Sequence, residues 1–342
     1  GDLNAYGAGL VGMPFLGIAF NDNLGWSHTN NVHDGQDLYE LSLKDGGYKW
    51  GDGVLNFEKR SVKIKVKDDE DNIHSKEFVI RESVHGPVVS EKDGKAYALR
   101  VVGLNQPYIF RQYFDMSRAQ NLEAFQDAVR QLQNPYFTIM YADKDGHIMH
   151  VFGGRTPIRP KGDWNWLGVV PGDSPDTQWD KTHPYDELPK SIDPESGWLQ
   201  NANDPPWTTT FPNAISRHDY PGYMSQNFMH FRAQRSARMA FEDESITFQE
   251  ILDYKMDTRM ELADRIINDL LKLTANANDE IIIETRRVLS NWDRQTNSDS
   301  KGAVLFKAWT DTVQFYVNKD ELFRLGWQEE QAMDTPVGLN PT

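Results

Sequence analysis

The spacing of apolar residues changes once along this chain, and that change limits the folds it can adopt. Before about residue 220 the pattern is typical of strands, as in residues 62–67 (VKIKVK), where apolar and charged residues alternate strictly. From about residue 226 the period becomes helical, as in residues 262–273, whose apolar residues form one stripe. Strands followed by helices predict an α+β fold, with a β-rich part over residues 1–225 and a mainly helical part over residues 226–342.

The composition argues against several classes of protein function. The 342 residues carry a net charge of −15 without any cluster of Lys and Arg, which argues against nucleic acid as a partner. No apolar run approaches the length of a membrane span, so we expect none. The chain has no Cys, which excludes disulfides and thiol catalysis. Its 10 Trp and 13 Tyr leave two interpretations open, a carbohydrate-binding surface or, as we prefer, a core and pocket rich in rings.

Residues 200–207 (QNANDPPW) are the most informative stretch for function. Pro205 and Pro206 fix the backbone, and Asp204 is biased away from helix by the proline that follows it. A carboxamide held in such a segment can donate an N–H to a developing oxyanion. Asn201 and Asn203 are both candidates, because an extended segment would point both the same way. The plainer alternative is an ordinary polar loop.

Further motifs lie along nearly the whole chain. Besides residues 200–207, they are residues 12–15 (GMPF), 18–21 (IAFN), 24–29 (LGWSHT), 34–39 (DGQDLY), 81–89 (RESVHGPVV), 134–154, 155–159 (RTPIR), 231–235 (FRAQR), 289–293 (LSNWD) and 302–306 (GAVLF). Each motif is weak alone, but in this order they together resemble the penicillin acylase family, which includes acyl-homoserine-lactone, cephalosporin and aculeacin acylases.

The resemblance implies an N-terminal nucleophile (Ntn) hydrolase, with two antiparallel sheets in a sandwich flanked by helices. Such enzymes hydrolyse a linear amide through an acyl-enzyme on the N-terminal Ser of a β-subunit, which a precursor releases together with an α-subunit. This chain begins with Gly1. We therefore expect a β-subunit core without that Ser, inactive by itself. The alternative is a non-catalytic module of the same fold that binds an acyl or carbohydrate ligand.

The family's register also suggests roles for single residues. It favours Asn203 as the oxyanion-hole side chain, with the backbone N–H of Asn30 as the second donor. It assigns Arg235 to orient that Asn, and Arg232, three residues earlier on the same helix face, is the alternative. A separate set is expected near the acyl pocket, with ordinary core as the equal alternative: Met13, Phe15, Ile18 and Trp26.

Cofactors and partners follow from the same resemblance. Asp34 and Asp37 match Asp positions that bind calcium in some penicillin acylases, and oxygen ligands near a Gly turn suit that ion. Two carboxylates do not complete a calcium site, so surface carboxylates are the alternative. No organic cofactor is expected. The expected partners are an acyl amide substrate, with an N-acyl-homoserine lactone favoured, and the α-subunit of the same precursor, in the bacterial periplasm or outside the cell.

Overall fold

The first sheet contains six antiparallel strands and forms one side of the candidate active site. The computed structural model describes residues 3–317 and 319–340. The strands of this sheet, in spatial order, are β1 (Ala5–Ala8), β2 (Ile18–Asn21), β3 (Leu24–Thr29), β11 (Thr138–Asp143), β12 (Ile148–Val151) and β14 (Lys190–Ile192). Strand β3 lies in the middle, where Trp26 is opposite Tyr141, and Tyr141 is opposite Met149.

The second sheet is also built almost wholly from antiparallel pairs. Its strands, in spatial order, are β6 (Gly53–Leu55), β5 (Gly47–Trp50), β4 (Gln36–Lys44), β10 (Lys95–Val101), β9 (Gly86–Lys92), β8 (Ile73–Ser83) and β7 (Glu58–Lys67). A short strand, β13 (Val169–Pro171), adds to β4 in parallel. Strands β7 and β8 form a two-stranded ribbon whose residues are largely exposed on both faces.

Two helices cover one face of the first sheet. They are α1 (Ile109–Arg118) and α2 (Leu122–Val129), and α2 begins at Asn121, whose side chain caps the Ala124 N–H. Phe125 of α2 packs against both Trp26 and Tyr141 at ring distances of 5.9 and 4.8 Å. Burying these large rings from both layers holds the helices on the sheet.

The C-terminal part is mainly helical. Its elements are α3 (Phe231–Phe241), α4 (Phe248–Lys255), α5 (Glu261–Leu273), α6 (Glu280–Ser290), α7 (Lys301–Tyr316), α8 (Lys319–Leu322) and the hairpin of β15 (Phe323–Leu325) and β16 (Val337–Leu339). Thr247 and Glu250 form a reciprocal capping box at α4. Ile266, Ile267 and Phe306 are fully buried in the core that these helices share.

The predicted α+β fold with antiparallel sheets is confirmed, and three details differ. The sequence predicts strand structure over residues 12–29, but residues 12–17 form none, because Gly12 has φ +87° and a turn reverses the chain before Pro14. Helix α1 was not predicted, since it lacks a side-chain N-cap. Strand β13 pairs in parallel. No helix in the described parts of the chain combines the length and apolar composition needed to cross a bilayer.

Candidate active site

The loop of residues 200–209 is closed by a buried carboxylate. Asp204 is fully buried and accepts hydrogen bonds from the Ala202 N–H (2.7 Å), the Gln200 side chain (2.8 Å) and the Thr208 hydroxyl (2.5 Å). Burial raises the pKa of Asp204, and these three donors oppose that shift. Because Gln200 also donates its backbone N–H to the Thr209 carbonyl (2.8 Å), both ends of the loop are tied together.

Asn203 sits at the tip of this loop in the left-handed region, with φ +67°. Asn tolerates this conformation better than most residues do. The segment is therefore a tight turn and not extended, so the two-residue period of a strand does not relate Asn201 to Asn203. The side-chain Nδ2 of Asn203 donates to the Asn30 carbonyl at 2.6 Å, which brings together two residues 173 positions apart. Of its two N–H groups, that bond uses one and leaves the other for a ligand.

Arg232, in the first turn of α3, holds the other end of the Asn203 amide. Its guanidinium donates to Asn203 Oδ1 at 2.7 Å. An Arg has only donors, so this bond fixes which end of the amide is oxygen and aims the N–H groups at Asn30. The bond also polarises the amide and makes its N–H a stronger donor.

Arg235 does not make the predicted contact with Asn203. Its Nε donates to Asp257 at 2.5 Å instead, one turn further along α3. This corrects the contact predicted from the sequence, in favour of the alternative, Arg232. Arg232 lies at the start of the helix, and its guanidinium is the one that meets the loop.

Asn201 faces the first sheet. It accepts the Thr29 hydroxyl at 2.5 Å and the Asn203 N–H at 3.1 Å, and its amide donates to the Asp204 carbonyl at 3.2 Å. Thr29 has the same orientation in the sheet as Ser27, away from the helices that cover Trp26. The loop therefore packs on the face of the sheet that α1 and α2 leave free, and Asn201 serves as an anchor within it.

An apolar cavity of about 720 Å³ lies beside helix α1. Met13 and Phe15 line it, as do Leu10, Phe110 and Phe114, for which the sequence predicts no place in the pocket. Residues of α1 carry no recognisable motif, so only the fold could bring them to this place.

The other two predicted pocket residues lie elsewhere. Ile18 is half exposed on β2, where it pairs with Ala8, and Trp26 is buried in the core under Phe125. For Trp26, this is the ordinary core environment that the sequence left open as the alternative. The cavity is instead lined mainly by α1 and by the segment of residues 9–16, which precedes β2.

Tyr113 connects the cavity with the segment that leads to Asn30. Its ring lines the cavity and stacks on Phe15 with the ring centroids 4.1 Å apart. It also makes a T-shaped contact with the ring of His28 at 5.4 Å, and His28 lies two residues before Asn30. Asn134 donates to the Tyr113 hydroxyl at 2.9 Å and so fixes the ring. Burial lowers the pKa of His28 to about 4, so this wall stays uncharged at neutral pH.

Asp34 and Asp37 form a second polar group, here called the Arg159 cluster and defined by Asp34, Asp37, Arg159 and Trp179. Arg159 has a fully buried side chain that donates to both Asp37 oxygens (3.1 and 3.2 Å) and lies 3.0 Å from Asp34. Trp179 adds an N–H to Asp37 at 2.6 Å. Arg159 offsets one of the two negative charges, and calcium binding at Asp34 and Asp37 stays a prediction.

Other metal ligands do not complete such a site. Over residues 3–317 and 319–340, no three His, Cys, Asp or Glu side chains are grouped to hold a metal ion. His28 Nδ1 lies within reach of the Thr138 carbonyl, to which it can only donate, and His33 Nδ1 lies 2.6 Å from Asn31 Oδ1.

Comparisons with known proteins show which family this chain is similar to. The family model described as penicillin amidase matches residues 1–339. An acyl-homoserine lactone acylase PvdQ of Pseudomonas fluorescens is 25% identical over 376 residues, which cover 99% of this chain and 47% of that protein. An acyl-homoserine lactone acylase QuiP of Pseudomonas aeruginosa is 28% identical over 276 residues, which cover 74% of this chain and 30% of that protein.

A solved structure has the same fold. The thermostable penicillin G acylase from Alcaligenes faecalis superposes with a TM-score of 0.75 and 21% identity, covering 91% of this chain and 56% of that chain. The chain spans about half the length of the curated PvdQ relatives it matches.

Proposed function

Because this chain belongs to the penicillin amidase family, we propose that it is the β-subunit core of an acylase that hydrolyses a linear amide. One observation carries the proposal. Arg232, Asn203 and Asn30 form a continuous hydrogen-bonded chain that leaves one Asn203 N–H free. A carboxamide held rigidly by a cation and a backbone carbonyl is what an oxyanion hole needs, since its donors must be in place before charge develops.

In the proposed reaction the substrate carbonyl lies between Asn203 and the backbone N–H of Asn30. A Ser hydroxyl attacks the carbonyl carbon, and its proton passes through an α-amino group to the leaving nitrogen as the C–N bond breaks. Water then attacks the acyl-enzyme and releases the carboxylic acid. Both donors stabilise the negative oxygen in each step. We propose that the Ser and its amine are supplied from outside residues 1–342, as the family resemblance implies.

The apolar cavity supports an aliphatic acyl group as the part of the substrate that is recognised. It is lined mainly by apolar side chains, and Tyr113 connects it to the segment of His28. We favour an N-acyl-homoserine lactone or a related acyl amide, because relatives that share about a quarter of the sequence carry that name. The reaction needs no organic cofactor. The proposed partner is the α-subunit of the same precursor, and the proposed location is the bacterial periplasm or exterior.

The central test compares two neighbouring amides in the intact, precursor-derived enzyme. Asn203→Ala should lower kcat by on the order of 10²–10³, the usual cost of one lost oxyanion donor. Asn201→Ala should be milder, because Asn201 anchors the loop through Thr29 and Asp204. Hydrolysis of a chromogenic acyl amide by each variant gives the answer. If neither substitution changes kcat, the oxyanion assignment fails and a non-catalytic acyl- or sugar-binding module becomes the better description.

A second test examines the acyl cavity with a matched pair. Met13 and Ile18 are about equally exposed (48% and 49%), but only Met13 lines the cavity. Met13→Trp should fill part of it and raise KM for long acyl chains more than for short ones, whereas Ile18→Trp should leave this chain-length dependence unchanged. Equal effects of both substitutions would argue against the cavity as the acyl site.

A further inference from the structure

A second cavity, here called the arginine cleft, is lined by Arg232 and also by Ala202, which precedes Asn203 in the chain. It has a volume of about 500 Å³ and lies between α3 and the segment that joins α4 to α5. Its charged lining consists of Arg232, Arg235, Lys255, Arg259, Asp257 and Glu261. Four cations therefore face two carboxylates, in a chain whose net charge is −15.

Both carboxylates of the lining are already engaged. Asp257 accepts the Arg235 Nε at 2.5 Å. Glu261 accepts Arg265 at 2.7 Å and lies 3.4 Å from Arg238. Neither carboxylate is therefore available to neutralise the remaining cations of the cleft.

Arg259 is also paired, but outside the lining. It makes two hydrogen bonds to Asp264, at 2.7 and 2.9 Å. Asp264 is itself shared, since Arg294 donates to it at 2.6 Å. One carboxylate thus serves two guanidinium groups, which adds to the positive charge around the cleft.

Arg232 and Lys255 have no carboxylate partner among the described residues. The polar contact of Arg232 is the neutral Asn203 amide, and Lys255 lies exposed in the last turn of α4 without an ion pair. The hydroxyl-bearing residue Ser236 also lines the cleft between these elements. The cavity therefore combines two uncompensated cations with a neutral hydrogen-bonding group.

We propose that the arginine cleft binds a small oxyanion, a carboxylate or a phosphate, between Arg232 and Lys255. A guanidinium offers a planar fork of N–H donors that matches two oxygens of such a group, and an ammonium adds a compact charge. The cleft is large enough for inorganic phosphate or a short dicarboxylate. This site is distinct from the apolar cavity, and its ligand is not the acyl group.

The site is coupled to Asn203 through a shared residue. Arg232 donates one N–H to Asn203 and has further donors on the side of the cleft. An anion that binds there restrains the guanidinium, and the restrained guanidinium holds the Asn203 amide more firmly. Because coupling between sites is reciprocal, a ligand on the Asn203 amide strengthens anion binding in return.

The binding test uses calorimetry on the purified protein without any acyl amide. Inorganic phosphate and succinate are titrated separately, with potassium chloride keeping the ionic strength constant, since screening weakens exposed charges. We expect saturable binding of at least one of them, weakened about tenfold in Lys255→Gln, the loss expected for one charge-assisted hydrogen bond. Lys272→Gln is the matched control, because Lys272 occupies the last turn of α5 and does not line the cleft. It should bind as the unmodified protein does.

The outcomes separate the alternatives. Binding of phosphate alone, or of succinate alone, supports the site and identifies the oxyanion class. Equal weakening by the two lysine substitutions, or no saturable binding, overturns the proposal, since either result means only diffuse attraction. Coupling is followed by the NMR signals of the Asn203 side-chain amide, which should shift on saturation with the anion. An unchanged signal overturns the coupling. No acyl amide is present, so a failed acylase proposal does not affect this result.

Discussion

The Asn203 loop and the Arg159 cluster both consist of polar residues fixed by hydrogen bonds, but Asn203 and Asp37 differ in how much of their hydrogen-bonding capacity remains unused. In the Arg159 cluster, Asp37 has both oxygens bonded to protein donors. In the loop, the Asn203 amide is fixed by Arg232 and Asn30 and still has an N–H left over. A polar group can bind a substrate only if other residues of the protein have not already used all of its hydrogen-bonding capacity. We therefore expect Asp37 to contribute to stability and Asn203, under the proposed function, to contribute to catalysis.

The largest expected effect comes from removing the buried cation. Arg159→Met should lower the free energy of unfolding by about 3–5 kcal/mol, because it leaves Asp37 charged and buried without its cationic partner. Burial then raises the pKa of Asp37 further. The loss in the free energy of unfolding should be greatest at neutral pH and should become smaller towards acid pH, because Asp37 becomes protonated in the folded state. Urea denaturation at several pH values measures it. A loss below 1 kcal/mol would contradict the division between the two clusters.

The next effect concerns backbone strain at Asn203. At φ +67° an Ala is disfavoured by about 1–2 kcal/mol, whereas Gly accepts this conformation. Asn203→Ala should therefore unfold at lower urea concentration than Asn203→Gly. Both should lose kcat to the same extent, since both lack the amide. If the two variants differed in kcat as much as in stability, the rate loss would come from distortion of the loop.

A third comparison places Arg232 against Arg235. Arg232→Lys should lower kcat about tenfold, because an ammonium keeps the charge but loses the planar fork that fixes the Asn203 amide. Arg235→Lys should leave kcat nearly unchanged, since Arg235 pairs with Asp257. Steady-state kinetics of the two variants decide this, and the reverse order would restore the assignment made from sequence.

The smallest expected effect is a pH dependence at His33, beside the Arg159 cluster. Burial, aided by the charge of Arg159, lowers the pKa of His33 to about 4. The unfolded chain then binds a proton that the folded chain does not, so stability is lost as the pH falls from about 6.5 through 4. His33→Gln should reduce the loss between pH 6 and pH 5 by about 1 kcal/mol.

A histidine with the opposite shift serves as the control for this measurement. Asp193 raises the pKa of His147, so this residue increases the stability of the folded protein as the pH falls. His147→Gln should therefore not reduce the loss that urea denaturation records between pH 6 and pH 5. A reduction in this variant as well would mean that the measured slope does not report on His33.

The local features of the fold could be predicted from sequence where one segment decides them. The capping box at Thr247 and the apolar stripe of α5 are such cases, because the helix forms from its own residues. Helix α1 was missed because its first residue follows Tyr108, which provides no cap, and its aromatic residues also favour strands. Contacts with the sheet decide its conformation.

The candidate site shows the same limit. Residues 200–207 could be selected from the sequence because the two prolines and the polar residues are adjacent in the chain. The choice between Arg232 and Arg235 could not be made, since residues three apart lie on one face of a helix. The positive φ of Asn203 depends on the bonds of Asp204, and no pattern of residue types indicates which way such a turn closes.

The separation of 173 positions between Asn30 and Asn203 has a kinetic consequence. Hairpins such as β7–β8 close over a short turn and form early, whereas a contact across so long a loop bears a larger closure entropy. We expect the site to assemble after the sheets, so that its bonds are absent from the transition state of folding. Substitutions at Asn203 would then change the rate of unfolding and leave the rate of folding nearly constant. The stability of the hydrogen bonds at the site and the rate of folding can therefore be altered independently of each other.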